Sequence, residues 1–389
     1  MIIKPASALG LDFPDWTAAA AALGLTRYRA QQIFRALQQE RAATWDAVRQ
    51  LPAAVRGQLA EGFPLVWPVI SQRIESSDGT VRYLLGLEDG KQVEAVYLPE
   101  EEFDGAGNVV RRRTTFCVSS QVGCAVNCQF CLTATMGLMR SLTAAEIVAQ
   151  VQTLLREHGL RPGQGLDRVN LVFMGMGEPF LNYENVTQAI RILTRPEGAG
   201  LAPRRITVST SGVVDKIRRW GGEEFERGRP RLAISLNASH DEQRQALMPL
   251  HRGQGGMEGL LAAVRGVRLG AREYITFEYV LLAGINDALE DADRVLRLLH
   301  GIPAKVNLIA WNQGPELPFA TPEREHVLAF QRRLIAGGMA TYIRRPRGRD
   351  IYAACGQLSV ARGSGANIAS DNQPAAAIGE GHAQEPSLI

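Results

Sequence analysis

Three cysteines, Cys124, Cys128 and Cys131, fall within eight residues in the spacing Cys-x3-Cys-x2-Cys. Clustered thiolates are soft ligands that select zinc or an iron–sulfur cluster. Structural zinc sites are usually closed by four ligands, and the six histidines supply no further pair at finger or ribbon spacing. Three thiolates on a four-iron cluster leave one iron open, as a chelating, redox-cleaved cofactor would require. A second signal is Gly175-Met176-Gly177-Glu178-Pro179, after the apolar run 169–174. Glycines at a strand end let a ligand approach the backbone, and Glu178 can accept hydrogen bonds from an ammonium group. Cys117 and Cys355 lie outside the cysteine motif, beside Arg111, Arg112 and Arg113 and beside Arg344, Arg345, Arg347 and Arg349 respectively. These arginines are candidate phosphate contacts.

Five cysteines are an odd number, and three are too close together for a disulfide framework, so a reducing, cytoplasmic setting is expected. The first residues lack a basic start followed by an apolar stretch, and no run approaches the roughly 20 apolar residues of a membrane span, so no membrane partner is expected. A formal charge of +3 does not by itself announce nucleic acid.

A chain of 389 residues with 46% hydrophobic content suits a catalytic domain with appended modules. Residues 1–69 are expected to form a helical accessory module, with apolar residues at helical spacing in 28–37 and 45–59. Residues 70–113 are expected to be a β-extension with hairpins at Asp78-Gly79, Asp89-Gly90 and Gly105-Ala106-Gly107. From 114 to 361, strand-like runs at 115–118, 169–174, 206–209, 232–236, 274–281 and 306–310 alternate with helical stretches. That alternation predicts an α/β fold, an open partial (β/α)6 barrel whose ligand lies at the carboxyl ends of the strands. The tail 362–389, rich in Ala, Gly, Gln and Ser, is expected to be disordered.

Cys-x3-Cys-x2-Cys followed by Gly-Glu-Pro resembles the radical S-adenosylmethionine (SAM) superfamily. The flanking stretches 116–124, 172–182, 208–214, 234–238, 307–312 and 347–358 narrow the resemblance to the RNA adenine methyltransferases of the RlmN/Cfr family. It implies a [4Fe-4S] cluster on Cys124, Cys128 and Cys131, SAM contacts from Gly177, Glu178, Ser209, Ser235, Leu236, Asn237 and Asn312, and a general base at Glu94. This chain has Leu132 and Met136 where the family commonly has Ser and Gln, and Asn237 where it often has His.

Carbon 2 of adenine lies between two ring nitrogens and is too electron-poor to attack the methyl sulfonium of SAM, so a radical route is needed. The resemblance implies two SAM molecules per turnover. One methylates Cys355, whose ionisation the neighbouring arginines favour. The other yields the 5′-deoxyadenosyl radical that attacks this S-methyl group. The methylene then bonds to adenine, and Cys117 releases the methylated RNA by forming a disulfide with Cys355. The implied substrates are an adenosine in the peptidyl-transferase region of 23S rRNA and adenosine 37 of certain tRNAs, with the N-terminal helices and arginine clusters as grips on RNA. A flavodoxin or ferredoxin as electron donor and a monomeric state complete the expectation. The alternatives are a Cfr-like enzyme acting at carbon 8 and, in a different class, a zinc-stabilised RNA-binding protein in which Cys117 or Cys355 supplies a fourth ligand.

Overall fold

Asp12 starts the first helix, α1 (Phe13–Ala22): its backbone N–H donates to Asp15 Oδ2 at 2.9 Å while its own carboxylate caps the helix amides. Helix α2 (Arg27–Gln38) buries Ile33, Phe34 and Leu37 on one face, as the apolar spacing predicts. The helical run expected at 45–59 is divided. Trp45–Ala47 forms a single 3-10 turn, and α3 (Ala53–Gly62) begins only after Pro52, whose ring and missing N–H exclude it from a helix interior. Trp45 packs edge-on against Trp16 with ring centroids 5.9 Å apart. The computed structural model describes residues 5–103, 109–249, 255–313 and 317–360, without the side chains from 102 to 112. The expected tail at 362–389 and the turn at 105–107 lie outside the described residues.

Four strands then form an antiparallel meander: β1 (Val69–Glu75), β2 (Val81–Gly86), β3 (Gln92–Phe103) and β4 (Val109–Cys117). Gly79 and Gly90 turn the first two hairpins at φ +80° and +78°, in the left-handed region that glycine adopts without strain. The next elements are β5 (Gln121–Gly123), α4 (Leu132–Thr135), β6 (Leu138–Ser141) and α5 (Ala144–Glu157). They are followed by β7 (Val169–Phe173), α6 (Tyr183–Thr194), β8 (Ile206–Thr210), α7 (Val214–Gly222) and β9 (Arg231–Ser235). The described chain continues with α8 (Asp241–Leu247), α9 (Gly256–Arg265), β10 (Ile275–Leu281), α10 (Leu289–Leu299), β11 (Ala304–Ala310), α11 (Arg324–Ala336) and β12 (Ala340–Ile343).

The main sheet has the order β1-β2-β3-β4-β7-β8-β9-β10-β11-β12, and its two ends do not pair. All six strands expected for the barrel are present and parallel, in an open partial barrel. Strand β12 joins β11 as a further parallel strand; its four residues carry no apolar run that would have announced it. Strand β4 is antiparallel to β3 and parallel to β7, so the boundary expected between 113 and 114 falls inside a strand common to both parts. The hydrophobic core crosses it too: Phe34 of α2, Leu85 of β2 and Phe173 of β7 belong to one contiguous cluster. Arg41 and Gln38, donating to and accepting from Gln152 of α5 at 2.8 Å each, tie the N-terminal helices to the barrel.

Candidate active site

The carboxyl ends of the parallel strands surround a cavity. Lining it are Met174 to Pro179 after β7 (Met176 excepted), Ser209 to Ser211 at β8, Ser235 and Asn237 at β9, Glu278 and Val280 on β10, Ile309 to Asn312 at β11 (Ala310 excepted) and Arg344 after β12. This is where an α/β barrel places its ligands. Of the residues the sequence singled out, Cys124, Cys128, Cys131, Gly177, Glu178, Ser209, Ser235, Asn237, Asn312 and Cys355 meet here. Two others do not. Leu236 is wholly buried in the core. Glu94, also 0% exposed, lies on β3 beside Arg82 at 3.4 Å, behind the turn after β7. Burial raises its carboxyl to about 7.

The cysteine loop runs from β5 to α4. Its entry depends on Gly123 at φ +78°, since a Cβ there would stand 1.8 Å from the Gly137 carbonyl oxygen. Cys124 N–H donates to that same carbonyl at 3.0 Å, and Gln129 N–H donates to Leu247 O at 3.0 Å. Val126, Phe130, Leu247, Met248, Leu282 and Trp311 wrap the three thiols in an apolar shell, fixed by a 3.0 Å hydrogen bond from Trp311 Nε1 to Phe130 O. Burial pushes the Cys124 thiol up to about 12 and raises those of Cys128 and Cys131 as well. Thiolates in such surroundings need a cationic partner. Among the described residues no three His, Cys, Asp or Glu converge closely enough to hold a single metal ion. Three thiols lining one cavity in an apolar wrap suit a soft centre such as an iron–sulfur cluster.

Glu178 is held from three sides. Its N–H donates to Gln121 Oε1 at 2.9 Å, and its carboxylate accepts from the N–H groups of Phe180 at 2.8 Å and Ser211 at 2.6 Å. Burial raises its pKa, a cost that a bound ammonium group would offset. Glu178→Gln is therefore expected to weaken SAM binding at least tenfold (about 1.4 kcal/mol) while leaving the cluster spectrum intact. Equilibrium binding beside the visible absorption spectrum checks this, and loss of the cluster would refute the assignment.

The neighbouring glycines serve the chain more than the ligand. A Cβ on Gly175 would lie 2.7 Å from the Val118 backbone, and one on Gly177, at φ +95°, 2.5 Å from Gln121 Cβ. They admit the segment after β4 against the turn. Asn237 is likewise local in purpose: at φ +55°, a conformation Asn tolerates, its Oδ1 accepts from Val280 N–H at 2.9 Å and bridges β9 to β10.

A second cavity opens on the other side of Cys355. Met174, Ile309, Asn312, Arg344 and Cys355 line both cavities and form the wall between them. Cys117, the last residue of β4, is buried and lines only the second. Both cysteines are free thiols, and Cys355 is exposed. Burial, with a smaller effect of Cys355, pushes the Cys117 thiol up to about 12, against the Arg344 charge. Arg344 interacts through its charge with both sulfurs. It pairs with Glu278 at 3.4 Å and donates to Met174 Sδ. Sequence reading missed Glu278; the signal was a lone carboxylate in the apolar strand β10. In the backbone register of β3 and β4, Arg111, Arg112 and Arg113 stand opposite Glu102, Glu101 and Glu100.

Residues 118–299 match the Radical SAM superfamily. A probable dual-specificity RNA methyltransferase RlmN of Koribacter versatilis is 49% identical over 342 residues, covering 86% of this chain and 96% of the relative. The chain belongs to the RlmN family. The RlmN of Anaeromyxobacter sp. is 47% identical, over 89% of this chain and 88% of its own length. The crystal structure of a radical SAM methyltransferase from Sphaerobacter thermophilus superimposes with a TM-score of 0.81 at 41% identity, covering 91% of this chain and 99% of that one. Membership of the radical SAM superfamily implies a [4Fe-4S] cluster and SAM, which the thiol-lined cavity suits. Among the described residues of this RlmN-family chain no helix is long and apolar enough to cross a membrane.

Proposed function

We infer that this enzyme methylates carbon 2 of adenosine in 23S rRNA and in tRNA, at adenosine 37, through a methylated cysteine. The carrying observation is the place of Cys355, on the wall between the cavity that holds the cluster cysteines and a second cavity that contains Cys117.

In this scheme the Cys355 thiol loses its proton and takes the methyl carbon of a first SAM, leaving S-adenosylhomocysteine. The cluster, when bound, supplies the electron that cleaves a second SAM to methionine and the 5′-deoxyadenosyl radical, which leaves as 5′-deoxyadenosine with a hydrogen from the S-methyl group. Glu178 orients that SAM through its ammonium group. The carbon on Cys355 bonds to adenine carbon 2, and the ring loses the proton on that carbon to solvent and returns one electron to the oxidised centre that had supplied it. Cys117 Sγ then attacks Cys355 Sγ: the S–S bond forms, the S–C bond breaks, and a proton completes the new methyl group. Arg344 faces both sulfurs and favours the attacking thiolate. Glu94 receives no step in this scheme, since it lines neither cavity. A flavodoxin or ferredoxin supplies electrons, and the enzyme works as a monomer in the cytoplasm.

Anaerobically reconstituted enzyme, incubated with SAM, a reductant and RNA, tests the reading by mass spectrometry of the digested nucleosides. 2-Methyladenosine is expected. 8-Methyladenosine would transfer the protein to the Cfr-like alternative, and a colourless zinc protein without methylated product would overturn the enzymatic reading.

A further inference from the structure

Cys355 sits in a segment that the barrel alone does not hold. On its N-terminal side the segment is gripped by the β1–β2 turn. Arg347 Nε donates to Asp78 Oδ2 at 2.9 Å and Arg347 Nη2 to Asp78 O at 2.6 Å. Gly348 N–H donates to Asp78 Oδ2 at 3.0 Å. The grip is reciprocal: Ser76 Oγ and Ser77 N–H donate to the two carboxylate oxygens of Asp350, at 2.6 and 3.3 Å. The fit is also steric, since a Cβ on Gly348, at φ +60°, would lie 2.8 Å from Thr80 Cγ2. Against the burial that would raise it, hydrogen bonds from Thr80 and Gly348 and the Arg347 charge hold the Asp78 carboxyl down to about 2. On the other side of Cys355, Leu132 N–H donates to Gly356 O and Thr133 Oγ1 to Leu358 O, each at 2.8 Å. Leu132 and Thr133 open the helix directly after Cys131.

The exposed cysteine thus lies between two anchors, one on a hairpin remote in sequence and one on the end of the cluster loop, while Asn312 Nδ2 donates to its own carbonyl at 3.4 Å. We propose that Asp78 and Asp350 are positioning residues, and that the β1–β2 turn clasps the 347–350 segment to fix Cys355 on the wall between the two cavities. The assignment rests on the methyltransferase reading above. Reacting atoms must be held near 3–3.5 Å, and a displacement of about 1 Å can cost on the order of a hundredfold in rate. Ordinary surface ion pairs contribute only about 0–1 kcal/mol to stability, so a merely structural clasp would leave the chemistry nearly unchanged.

The test uses the reconstituted holoenzyme carrying Asp78→Ala and Asp350→Ala together. Amide hydrogen exchange over 347–358 should quicken, and the rate at which iodoacetamide alkylates Cys355 should change. Methylated adenosine should fall about tenfold or more, while 5′-deoxyadenosine falls less than about twofold, so that SAM cleavage is uncoupled from methylation. Asp78→Asn alone, which keeps an acceptor for the Gly348 amide, should recover part of the coupling. Unaltered exchange and alkylation, or product and 5′-deoxyadenosine falling in proportion, would overturn the proposal. Failure of the unsubstituted enzyme to methylate any adenosine would overturn the functional reading instead, because exchange and alkylation report on the clasp without turnover.

Discussion

Cys117→Ala protein purified after expression is expected to carry covalently attached RNA. In the scheme above Cys117 acts only after carbon 2 is bonded to the methylene on Cys355, so its loss spares every earlier step. Cys117 ends a strand paired on both sides, to Val96 of β3 and Val172 of β7, and an alanine fits there without disturbing either ladder. The three remaining thiols of the chain, Cys124, Cys128 and Cys131, are committed to the cluster in this reading. Nothing then opens the thioether, and multiple turnover should fall to background. Cys355→Ala should behave differently, with neither methylated product nor adduct, because no sulfur carries the methyl group. Denaturing gels with and without ribonuclease, followed by mass analysis of any shifted band, separate the two. An adduct in Cys117→Ala that is absent from Cys355→Ala and from the double variant supports the scheme. Free, normally methylated RNA from Cys117→Ala would sink it.

Replacing any one of Cys124, Cys128 or Cys131 by Ala should abolish reductive SAM cleavage outright. Each thiol lines the same cavity, and the side chains packed around the cysteine loop are apolar. With two thiolates left, the cluster loses a third of its protein ligands and the site is expected to stay empty. The purified variant should lack the brown absorbance of the unsubstituted protein and form no 5′-deoxyadenosine. Near-normal 5′-deoxyadenosine from any two of the three variants would contradict the assignment.

What could be read from the sequence divides along the range of the interactions involved. The cysteine motif, the Asp-Gly turns and the six apolar barrel strands are local patterns, and local patterns survive in a one-dimensional reading. The ends of those strands could likewise be marked as the place for Glu178, Ser209 and Asn312. Contacts between distant segments could not be marked. Glu278 meets Arg344 across 66 residues and Asp78 meets Arg347 across 269, and no periodicity announces either pair. Glu94 was legible only through resemblance, and its burial against Arg82 depends on how β2 and β3 pair. The helix expected at 45–59 failed for a different reason: apolar spacing continued through Pro52, where the backbone could not. Gly175 and Gly177 were read as room for a ligand, whereas the crowding they relieve comes from Val118 and Gln121, visible only once β4 lies beside β7.

Strand β4 has a consequence for how such a protein can evolve. Because it pairs with the meander on one edge and with the barrel on the other, the segments before and after it cannot be exchanged like beads on a string. A chimera joined at residue 113 would have to match strand register, sheet twist and the packing of a common core all at once. Cutting there would also bare an unpaired strand edge that invites aggregation. New substrate preferences would therefore arise more readily by substitution along cavity walls and in surface turns than by recombination of whole modules.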